Sequence, residues 1–282
     1  MIDLHLHTTA SDGRSSPDAL VAEAAAAGVR TLAVTDHDTV EAVPAVGAAA
    51  ERAGLATMAG IEITAIHRGR DVHILGYGVD VGDANLRAFL AAQRQSRRAR
   101  VVSILERLAA LGLSIDASSL MTATIVDTGR AVGRPMVARA LVAAGHVPDV
   151  AAAFDRYLAE GRPAFVPRVG PSPAEVGRRI VRAGGVASLA HPAKLGDDEL
   201  VRTLVGEGLE AIEVYHPDHD EEATKRYRAL ADAQDLIVTG GSDYHGPGSG
   251  RDSALGRVGL PAADYARLAD RAASRAAGRR AP

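Results

Sequence analysis

Short apolar runs alternate with helix-like segments along most of the 282-residue chain. Residues 30–35 (Arg-Thr-Leu-Ala-Val-Thr) form one such run, and an alanine-rich segment that starts at Ser15-Ser16-Pro17 and ends at Gly28 precedes it. Serine followed by proline is typical of a helix start, and glycine is typical of a helix end. Repeated alternation of this kind predicts an α/β protein with a parallel sheet or barrel.

The alternation stops at about residue 83 and resumes after residue 162. Residues 83–111 form a long helical pattern that Gly112 ends, and two more helical segments follow at about 134–144 and 149–160. We see no clear strand pattern among them. We therefore predict a barrel formed by residues 1–82 and 163–282 and an all-helical insertion formed by residues 83–162, which would cover the barrel as a lid.

Composition restricts the chemistry that the chain can carry. Hydrophobic residues are 47% and charged residues 24%, as is usual for a soluble globular protein. The formal net charge of -3 gives no global reason to expect binding to polyanions, so any phosphate site would depend on local arginines. With no cysteine, a transition metal would need His, Asp and Glu ligands. We find no leader peptide and no apolar run of membrane length, which predicts a cytoplasmic protein without a membrane partner.

The first predicted strand carries polar residues at alternate positions, Asp3, His5 and His7. Alternate side chains lie on the same face of a strand, so both histidines point the same way. Two imidazoles with Asp12 nearby can begin a metal site, but they can equally belong to a half-buried strand and bond to carbonyl groups. The strand alone leaves both interpretations open.

Ionisable residues at the ends of later strands favour the metal site. In a barrel of parallel strands, the active site lies at the carboxyl ends of the strands. Six of the ten histidines occupy the first strand or later strand positions of this kind. The nine candidate ligands are His5, His7, Asp12, His37, Glu62, His73, His191, Asp243 and His245. Nine ligands are too many for one tetrahedral ion and suit two or three divalent ions with a bridging carboxylate.

These motifs resemble those of a known family. The stretches around His5, His37, Glu62, His191 and His245 are similar to the ordered motifs of the PHP (polymerase and histidinol phosphatase) superfamily. The insertion is similar to that of one branch, which contains 3′,5′-nucleotide bisphosphate phosphatase and a related 5′-3′ exoribonuclease. The similar segments are Gly133-Arg134-Pro135, residues 144–147, residues 154–158 and residues 161–167. The resemblance implies a distorted (β/α)7 barrel of PHP type with a trinuclear metal site.

The resemblance also implies how the ligands divide among manganese, iron or zinc ions. One ion would be held by His5, His7, Glu62 and Asp243, a second by Glu62, His73 and His191, and the third by Asp12, His37 and His245. A water that bridges two such ions loses a proton near neutral pH, and the resulting hydroxide would attack a phosphoryl group. A water on the third ion, or His216 or His219 just past a strand end, would protonate the leaving group.

The branch implies a phosphoesterase for small nucleotides. Its substrate would be a 3′,5′-nucleotide bisphosphate, hydrolysed to the nucleoside 5′-monophosphate and phosphate, or a short 5′-phosphorylated RNA or DNA oligonucleotide. Arg97, Arg100 and Arg134 are the implied ligands of the uncleaved phosphate, since an arginine fork matches phosphate oxygens. A solvated helix face is the other explanation for the first two. Met136 stands where relatives often have histidine, which weakens the transfer of the branch's substrate.

Three alternatives remain. The same metals could serve a cyclic sugar phosphate or a histidinol-phosphate-like monoester, because only contacts from the lid distinguish these substrates. An amidohydrolase also opens with His-x-His, but it usually uses a carbamylated lysine or a late single aspartate, and Lys194 and Lys225 are not at an obvious bridging position. A non-catalytic PHP module that assists a polymerase ranks behind, because every expected ligand position is filled. No obligate protein partner is expected.

Overall fold

The computed structural model describes residues 1–116, 118, 120, 131–250 and 253–280. In this part of the chain, the strands form a three-stranded sheet, β1-β2-β3, and a five-stranded sheet, β4-β5-β6-β7-β8. The strands are β1 (Ile2–Leu6), β2 (Thr31–Val34), β3 (Ala56–Thr57), β4 (Gly60–His67), β5 (Arg70–Tyr77), β6 (Val186–Leu189), β7 (Ala211–Tyr215) and β8 (Ile237–Gly240). The α/β class expected from the alternation is confirmed.

The described helices begin close to the expected residues. They are α1 (Pro17–Ala26), α2 (Val43–Ala53), α3 (Ala84–Ala110), α4 (Arg134–Ala143), α5 (Val150–Ala153), α6 (Pro173–Arg182), α7 (Asp198–Gly206), α8 (Glu221–Ala233) and α9 (Ala262–Arg280). A π-helical turn follows α5 at Phe154–Leu158. Ser16 and Ser172 cap α1 and α6 by accepting hydrogen bonds from backbone amides of the first turn. Among these described residues, none of the helices is both long and apolar enough to cross a bilayer.

Two strand pairings depart from the expected parallel arrangement. β4 and β5 are antiparallel, and β5 also pairs antiparallel with β6. Arg68 and Gly69 link β4 to β5, and their φ angles of 49° and 81° are typical of the tight turns that join hairpin strands. A parallel connection needs a crossover of a dozen or more residues, so this link is too short for one. The other paired strands are parallel.

The two sheets meet along both of their edges. Isolated parallel bridges join Leu6 to Tyr244 and His37 to Glu62, and β1 lies close to β8. No continuous ladder closes the described strands into one barrel, so the seven-stranded closed barrel stays a prediction. The arrangement nevertheless brings the ends of β1, β2, β6 and β8 to one side of the molecule, where His7, His37, His191 and Asp243 follow them.

The insertion packs around an apolar cluster of its own. Val101, Ile104 and Leu108 of α3 contact Val137 and Leu141 of α4 in this cluster, which is separate from the cluster around β4–β8. Met136 belongs to it and is 8% exposed. The residue that differs from relatives therefore lies in the apolar core of the insertion. The domain division at residues 83 and 162 stays a prediction.

Candidate metal centre

Glu62 of β4 is the centre of a buried cluster of histidines. Its side chain is 1% exposed. Five imidazoles lie within 3.4 Å of its carboxylate oxygens: His73 (2.8 Å) and His191 (3.1 Å) at Oε1, and His37 (3.1 Å), His7 (3.3 Å) and His5 (3.4 Å) at Oε2. A carboxylate surrounded in this way can bridge two ions. This is the position that the sequence resemblance gave it.

Asp243 closes the first predicted group of ligands. Its Oδ1 atom lies 3.4 Å from His5 Nε2 and 3.3 Å from His7 Nε2, the same two nitrogens that face Glu62. Four ligand atoms of Glu62, Asp243 and the two histidines therefore surround one space. His5 lies on β1 and His7 directly follows it, and the two side chains lie on one face, as the sequence indicated.

Asp12 organises a second group at the open side of the cluster. Its Oδ1 lies 3.3 Å from His245 Nε2, and its Oδ2 lies 3.8 Å from His37 Nε2. Burial alone would lower the pKa of His245, but Asp12 raises it to about 9. Without a metal ion, His245 is thus a cation that compensates the Asp12 carboxylate. All nine sequence-predicted ligands come together in this cluster.

The backbone is strained where strands deliver these ligands. Asp38, His191 and Asp243 have positive φ angles of 51°, 28° and 50°. For residues other than glycine such angles are uncommon and cost on the order of 1–3 kcal/mol each, and they concentrate at functional sites. His191 and Asp243 are themselves predicted ligands, and Asp38 directly follows the predicted ligand His37. The fold therefore maintains an unfavourable backbone geometry at the cluster.

The donor set fits divalent ions. Several buried ring nitrogens of the ligands have no hydrogen-bond partner: both of those of His7, Nδ1 of His37 and Nδ1 of His73. Buried polar atoms are nearly always hydrogen-bonded, so a group of exceptions with lone pairs facing one another needs a cation. Four sets of three or four ligand atoms lie within 4.8 Å of one another: His7, Asp12, His37 and His245; His5, His216 and Asp243; His5, His7 and Glu62; and His37, Glu62 and His73.

Burial and charge give Glu62, His37 and His191 the protonation states that metals require. Burial alone would raise the pKa of Glu62, but His37 and His73 hold it well below its usual value. Burial lowers the pKa of His37 well below its usual value, and burial together with Lys194 lowers the pKa of His191 to about 3. Ionised carboxylates and neutral imidazoles are the metal-binding forms.

Glu213 of β7 is a functional residue that the sequence interpretation missed. It is fully buried, its Oε1 accepts a hydrogen bond from His5 Nδ1 at 2.9 Å, and its Oε2 accepts one from the His191 backbone amide at 2.7 Å. The bond at Nδ1 leaves Nε2 of His5 as the lone-pair nitrogen toward Glu62. A single carboxylate inside the apolar run Ala211–Tyr215 was the available signal, and the same signal had identified Glu62.

The two candidate acids have different surroundings. His216 is 3% exposed, its Nε2 lies 3.3 Å from Asp243 Oδ2, and its Nδ1 accepts from the Asp218 amide. Both ring nitrogens of His219 instead face backbone groups, the Val214 carbonyl at 2.8 Å and the Ala193 amide at 3.5 Å. Only His216 of this pair contacts a predicted metal ligand.

A cleft of about 800 Å³ separates the cluster from the insertion. Predicted ligands form its floor, and Pro135, Val142 and Val150 of the insertion lie on the opposite wall. Lys194 also lines the cleft, with its Nζ 2.9 Å from Asp243 Oδ2. A ligand of nucleotide size can thus contact both the metal cluster and the insertion.

The three predicted phosphate-binding arginines lie beside the β4–β5 hairpin. The guanidinium of Arg97 pairs with Asp38 and donates to Thr64 Oγ1 at 2.8 Å. Arg134 lies 3.4 Å from Asp71, and Arg100 donates from Nε to the Val166 carbonyl. A fourth arginine, Arg168, lies among them and was missed, because nothing in the surrounding sequence distinguishes it from a loop cation.

Comparison with known proteins identifies the family. Residues 3–127 match the model of the PHP domain. The chain is 32% identical over 262 residues to a 3′,5′-nucleoside bisphosphate phosphatase of Chromobacterium violaceum, with 88% of each chain covered. The chain belongs to the PHP family. It is a metal-dependent phosphoesterase.

Two further relatives of this PHP protein have other activities in their names. A 5′-3′ exoribonuclease Rnm of Salmonella typhimurium is 35% identical, with 87% of this chain and 85% of the relative covered. A phosphoribosyl 1,2-cyclic phosphate 1,2-diphosphodiesterase of Eggerthella lenta is 36% identical, with 86% and 94% covered. Similarity therefore establishes that the chain is a PHP phosphoesterase, and the names of its relatives give three different kinds of substrate.

Solved structures agree on the fold of this PHP protein. A crystal structure described as that of a metal-dependent phosphoesterase of Bifidobacterium adolescentis superposes with a TM-score of 0.86 at 31% identity, over 95% of each chain. A Chromobacterium violaceum structure described as an amidohydrolase with bound sulfate and no metal has a TM-score of 0.84 at 31% identity, over 96% of each chain.

Proposed function

We propose that the protein removes the 3′-phosphate of a 3′,5′-nucleotide bisphosphate, or a nucleotide from the 5′ end of a short 5′-phosphorylated oligonucleotide. One observation supports this choice most strongly: a cluster of arginines lies next to the metal cluster on the same hairpin. Thr64, which accepts from Arg97, is the cross-strand partner of the predicted ligand His73. A substrate with two phosphates uses both clusters, whereas a simple monoester needs only the metals.

The roles of the residues follow from their surroundings. The nine clustered ligands would hold two or three manganese, iron or zinc ions, which supply a nucleophile from water and stabilise charge on the phosphoryl group. Glu213 orients His5 and anchors the His191 backbone. Arg97, Arg100 and Arg134 bind or border the phosphate that is not cleaved. Of the candidate pair, His216 would protonate the leaving oxygen, which its distance of 3.3 Å from the predicted ligand Asp243 supports.

The substrate is tested by a panel on manganese-loaded protein. The panel contains a 3′,5′-nucleoside bisphosphate, a matched 3′-monophosphate, a 5′-phosphorylated trinucleotide, a phosphoribosyl cyclic phosphate, histidinol phosphate, and an amide and a lactone. We expect the highest kcat/KM for the bisphosphate or the trinucleotide. A higher value for the cyclic phosphate or the histidinol phosphate would overturn the proposal, and turnover of the amide alone would move the protein to another class.

The arginine assignment has its own test within this panel. Arg100→Ala removes a partly buried guanidinium whose Nε donates to the Val166 carbonyl, and should raise KM for the bisphosphate roughly tenfold or more. KM for the matched 3′-monophosphate should change much less. Equal effects on the two substrates would remove Arg100 from the phosphate site.

The leaving-group assignment is tested by comparing His216→Ala with His219→Ala. If His216 is the acid, its removal lowers kcat for the bisphosphate and has a smaller effect on an aryl phosphate, whose leaving group needs no proton. His219→Ala is the control with the same change of side chain. Unchanged kcat and pH dependence in His216→Ala would leave the proton to a water.

The cyclic phosphodiesterase is a second candidate because of the Eggerthella lenta relative, 36% identical over most of both chains. Its name specifies one cyclic phosphate, which gives the arginine cluster no second phosphate to bind. The Arg100→Ala comparison therefore also separates the two functions.

A further inference from the structure

Arg168 differs from the other arginines near the hairpin in its hydrogen bonding. Its Nε and Nη1 atoms are buried, and neither has a hydrogen-bond partner in the structure. Arg97 is paired with Asp38, Arg134 lies beside Asp71, and Arg100 donates to a backbone carbonyl. An unpaired buried guanidinium is costly, so a group that accepts its hydrogen bonds is expected.

A cavity of about 210 Å³ lies next to the Arg168 side chain. Arg97 and Arg100 line it together with the hydroxyl-bearing Thr64 and Ser96, and the Asp38 carboxylate in the lining is already paired with Arg97. It also reaches Gln93, whose buried Nε2 has no partner either. These groups are mainly hydrogen-bond donors, and guanidinium groups have no acceptor at all. The chemistry of the cavity wall therefore favours a ligand that only accepts hydrogen bonds.

The charges around the cavity do not balance. The residues that line the cavity carry three guanidinium groups, those of Arg97, Arg100 and Arg168, and one carboxylate, that of Asp38, which leaves an excess of two positive charges. Burial and Arg97 lower the pKa of Arg168 to about 9 against the opposing effect of Asp71, so the group is still charged at neutral pH. A dianion of tetrahedral oxygens would satisfy both the charge and the donors.

We propose that Arg168 is the principal ligand of the uncleaved phosphate and that this cavity is its binding site. Arg97 and Arg134 then act mainly as structural partners of Asp38 and Asp71 at the border of the site. The inference deepens the proposed function and rests on it for the identity of the substrate. The oxyanion site itself can be tested without catalysis.

Binding is measured on chelator-treated full-length protein with inorganic phosphate, so that metal-bound phosphate does not contribute. The variants are Arg168→Met and Arg162→Met; Arg162 lies on the same segment, is 48% exposed and pairs with Asp155. We expect phosphate to raise Tm and to bind by calorimetry in wild type and Arg162→Met, and both effects to be lost in Arg168→Met. Absence of binding in wild type, or retained binding in Arg168→Met, would overturn the proposal.

Stability of the variant separates a ligand from a structural residue. Because the buried Nε and Nη1 atoms of Arg168 have no hydrogen-bond partner, Arg168→Met should not lower Tm in phosphate-free buffer. A structural role predicts a clear decrease. Should Arg168→Met fail to fold, Arg168→Lys keeps the charge and removes the fork, and weaker phosphate binding by at least severalfold is then expected.

Kinetics on the metal-loaded enzyme complete the test. Arg168→Met should raise KM for a 3′,5′-bisphosphate roughly 10- to 100-fold and leave the 3′-monophosphate within about twofold. Parallel changes for both substrates would contradict the assignment. If wild type binds phosphate through Arg168 but hydrolyses no bisphosphate, the proposed function fails and the oxyanion site stands.

Discussion

Glu62 is a carboxylate that only cations can accommodate. Five imidazoles face its two oxygens inside the protein, and the Glu62 side chain is only 1% exposed. Some of the histidines must be neutral, because burial drives the pKa of His37 and His191 downward. Neutral imidazoles directed at a carboxylate leave unsatisfied lone pairs, which divalent ions would satisfy.

Replacing Glu62 should therefore remove metal before it removes structure. For Glu62→Gln we expect at least two of the bound ions to be lost, since Gln offers one neutral oxygen where both predicted groups need a carboxylate oxygen. Plasma emission spectroscopy on dialysed protein measures the content, and far-UV circular dichroism monitors the fold. Full metal content in this variant would contradict the bridging role.

Glu213 allows a milder prediction at the same scale. Glu213→Gln keeps the volume but replaces one of the two acceptors by a donor, so either His5 or the His191 amide loses its partner. Residues that orient metal ligands typically change metal affinity 10- to 100-fold. Competition with a chromogenic chelator measures this loss, and Glu175→Gln on exposed helical surface is the control. Unchanged affinity would reduce Glu213 to a core residue.

The sequence pattern identified the predicted metal ligands better than the residues around them, such as Glu213 and Arg168. His37, His191 and Asp243 could be found because each follows a strand, and ends of parallel strands meet at one place. Arg168 could not, because its importance depends on what it fails to contact, and that is a property of packing. The grouping of ligands came from resemblance, and the distances are compatible with it without testing it.

At the scale of elements, the stability of the long helix α3 depends on Asp83, the residue directly before it. Asp83 caps it by accepting from the Leu86 amide at 2.8 Å, and it also pairs with Arg279. The backbone bond from Leu86 holds the pKa of Asp83 below its usual value of 3.8. A lowered pKa means that the folded state prefers the carboxylate, so this stabilisation exists above pH 3.8 and is lost as pH falls through the folded-state pKa.

We expect Asp83→Ala to lower the free energy of unfolding by about 1 kcal/mol at pH 7. The difference from wild type should shrink below the pH at which the unfolded carboxyl is protonated. Urea unfolding at pH 7 and pH 3.5 measures both values. A difference that grows on acidification would have the wrong sign for a cap of this kind.

The C-terminal helix α9 is attached to the sheet by arginines spaced four residues apart. Arg275 pairs with Glu210 and donates to the Gly185 carbonyl, and both side chains of the pair are largely buried, at 21% and 23% exposure. Arg267 pairs with Asp235, which is 91% exposed. Screening by solvent makes the exposed pair weak.

Arg275→Ala should therefore cost on the order of 1–3 kcal/mol, because it leaves the buried Gly185 carbonyl without this donor and removes one of the two guanidinium partners of Glu210, the other being Arg271. Arg267→Ala is the matched control on the same helix, two arginines before Arg275, and it should cost less than about 1 kcal/mol. Thermal unfolding of the two variants compares them directly. Equal losses would mean that burial at this contact has no energetic consequence.

Helix limits could be predicted closely, and strand direction could not. Asp83, Ser172 and Gly112 mark their elements by local chemistry, which is readable in order along the chain. The reversal at Arg68-Gly69 needs two successive positive φ angles, and Arg68 adopts one without being glycine. No residue type announces that geometry, so the hairpin was expected as two parallel strands.

Considered as a whole, the molecule has apolar clusters that do not involve the metal ligands. The largest surrounds β4–β8, another lies in the insertion, and a third joins α1 and α2 to β1 and β2. Chelator-treated protein should therefore remain folded at 25 °C. Reloading should raise Tm, because an ion bound to one site at 100 times its Kd adds about 2.7 kcal/mol to the free energy of unfolding. Loss of the far-UV signal on chelation would contradict this.

The β4–β5 hairpin would fix the distance between the two phosphates of a bound substrate. Backbone pairing fixes Thr64 opposite His73 and Ile66 opposite Asp71, and each step along one face is about 7 Å. Metal ligands occupy one step and the contacts of the arginines begin at the next, so the interval between two bound phosphates would be set by the hydrogen-bonded ladder. Substrates would then be selected by the separation of their phosphates before any contact with a base.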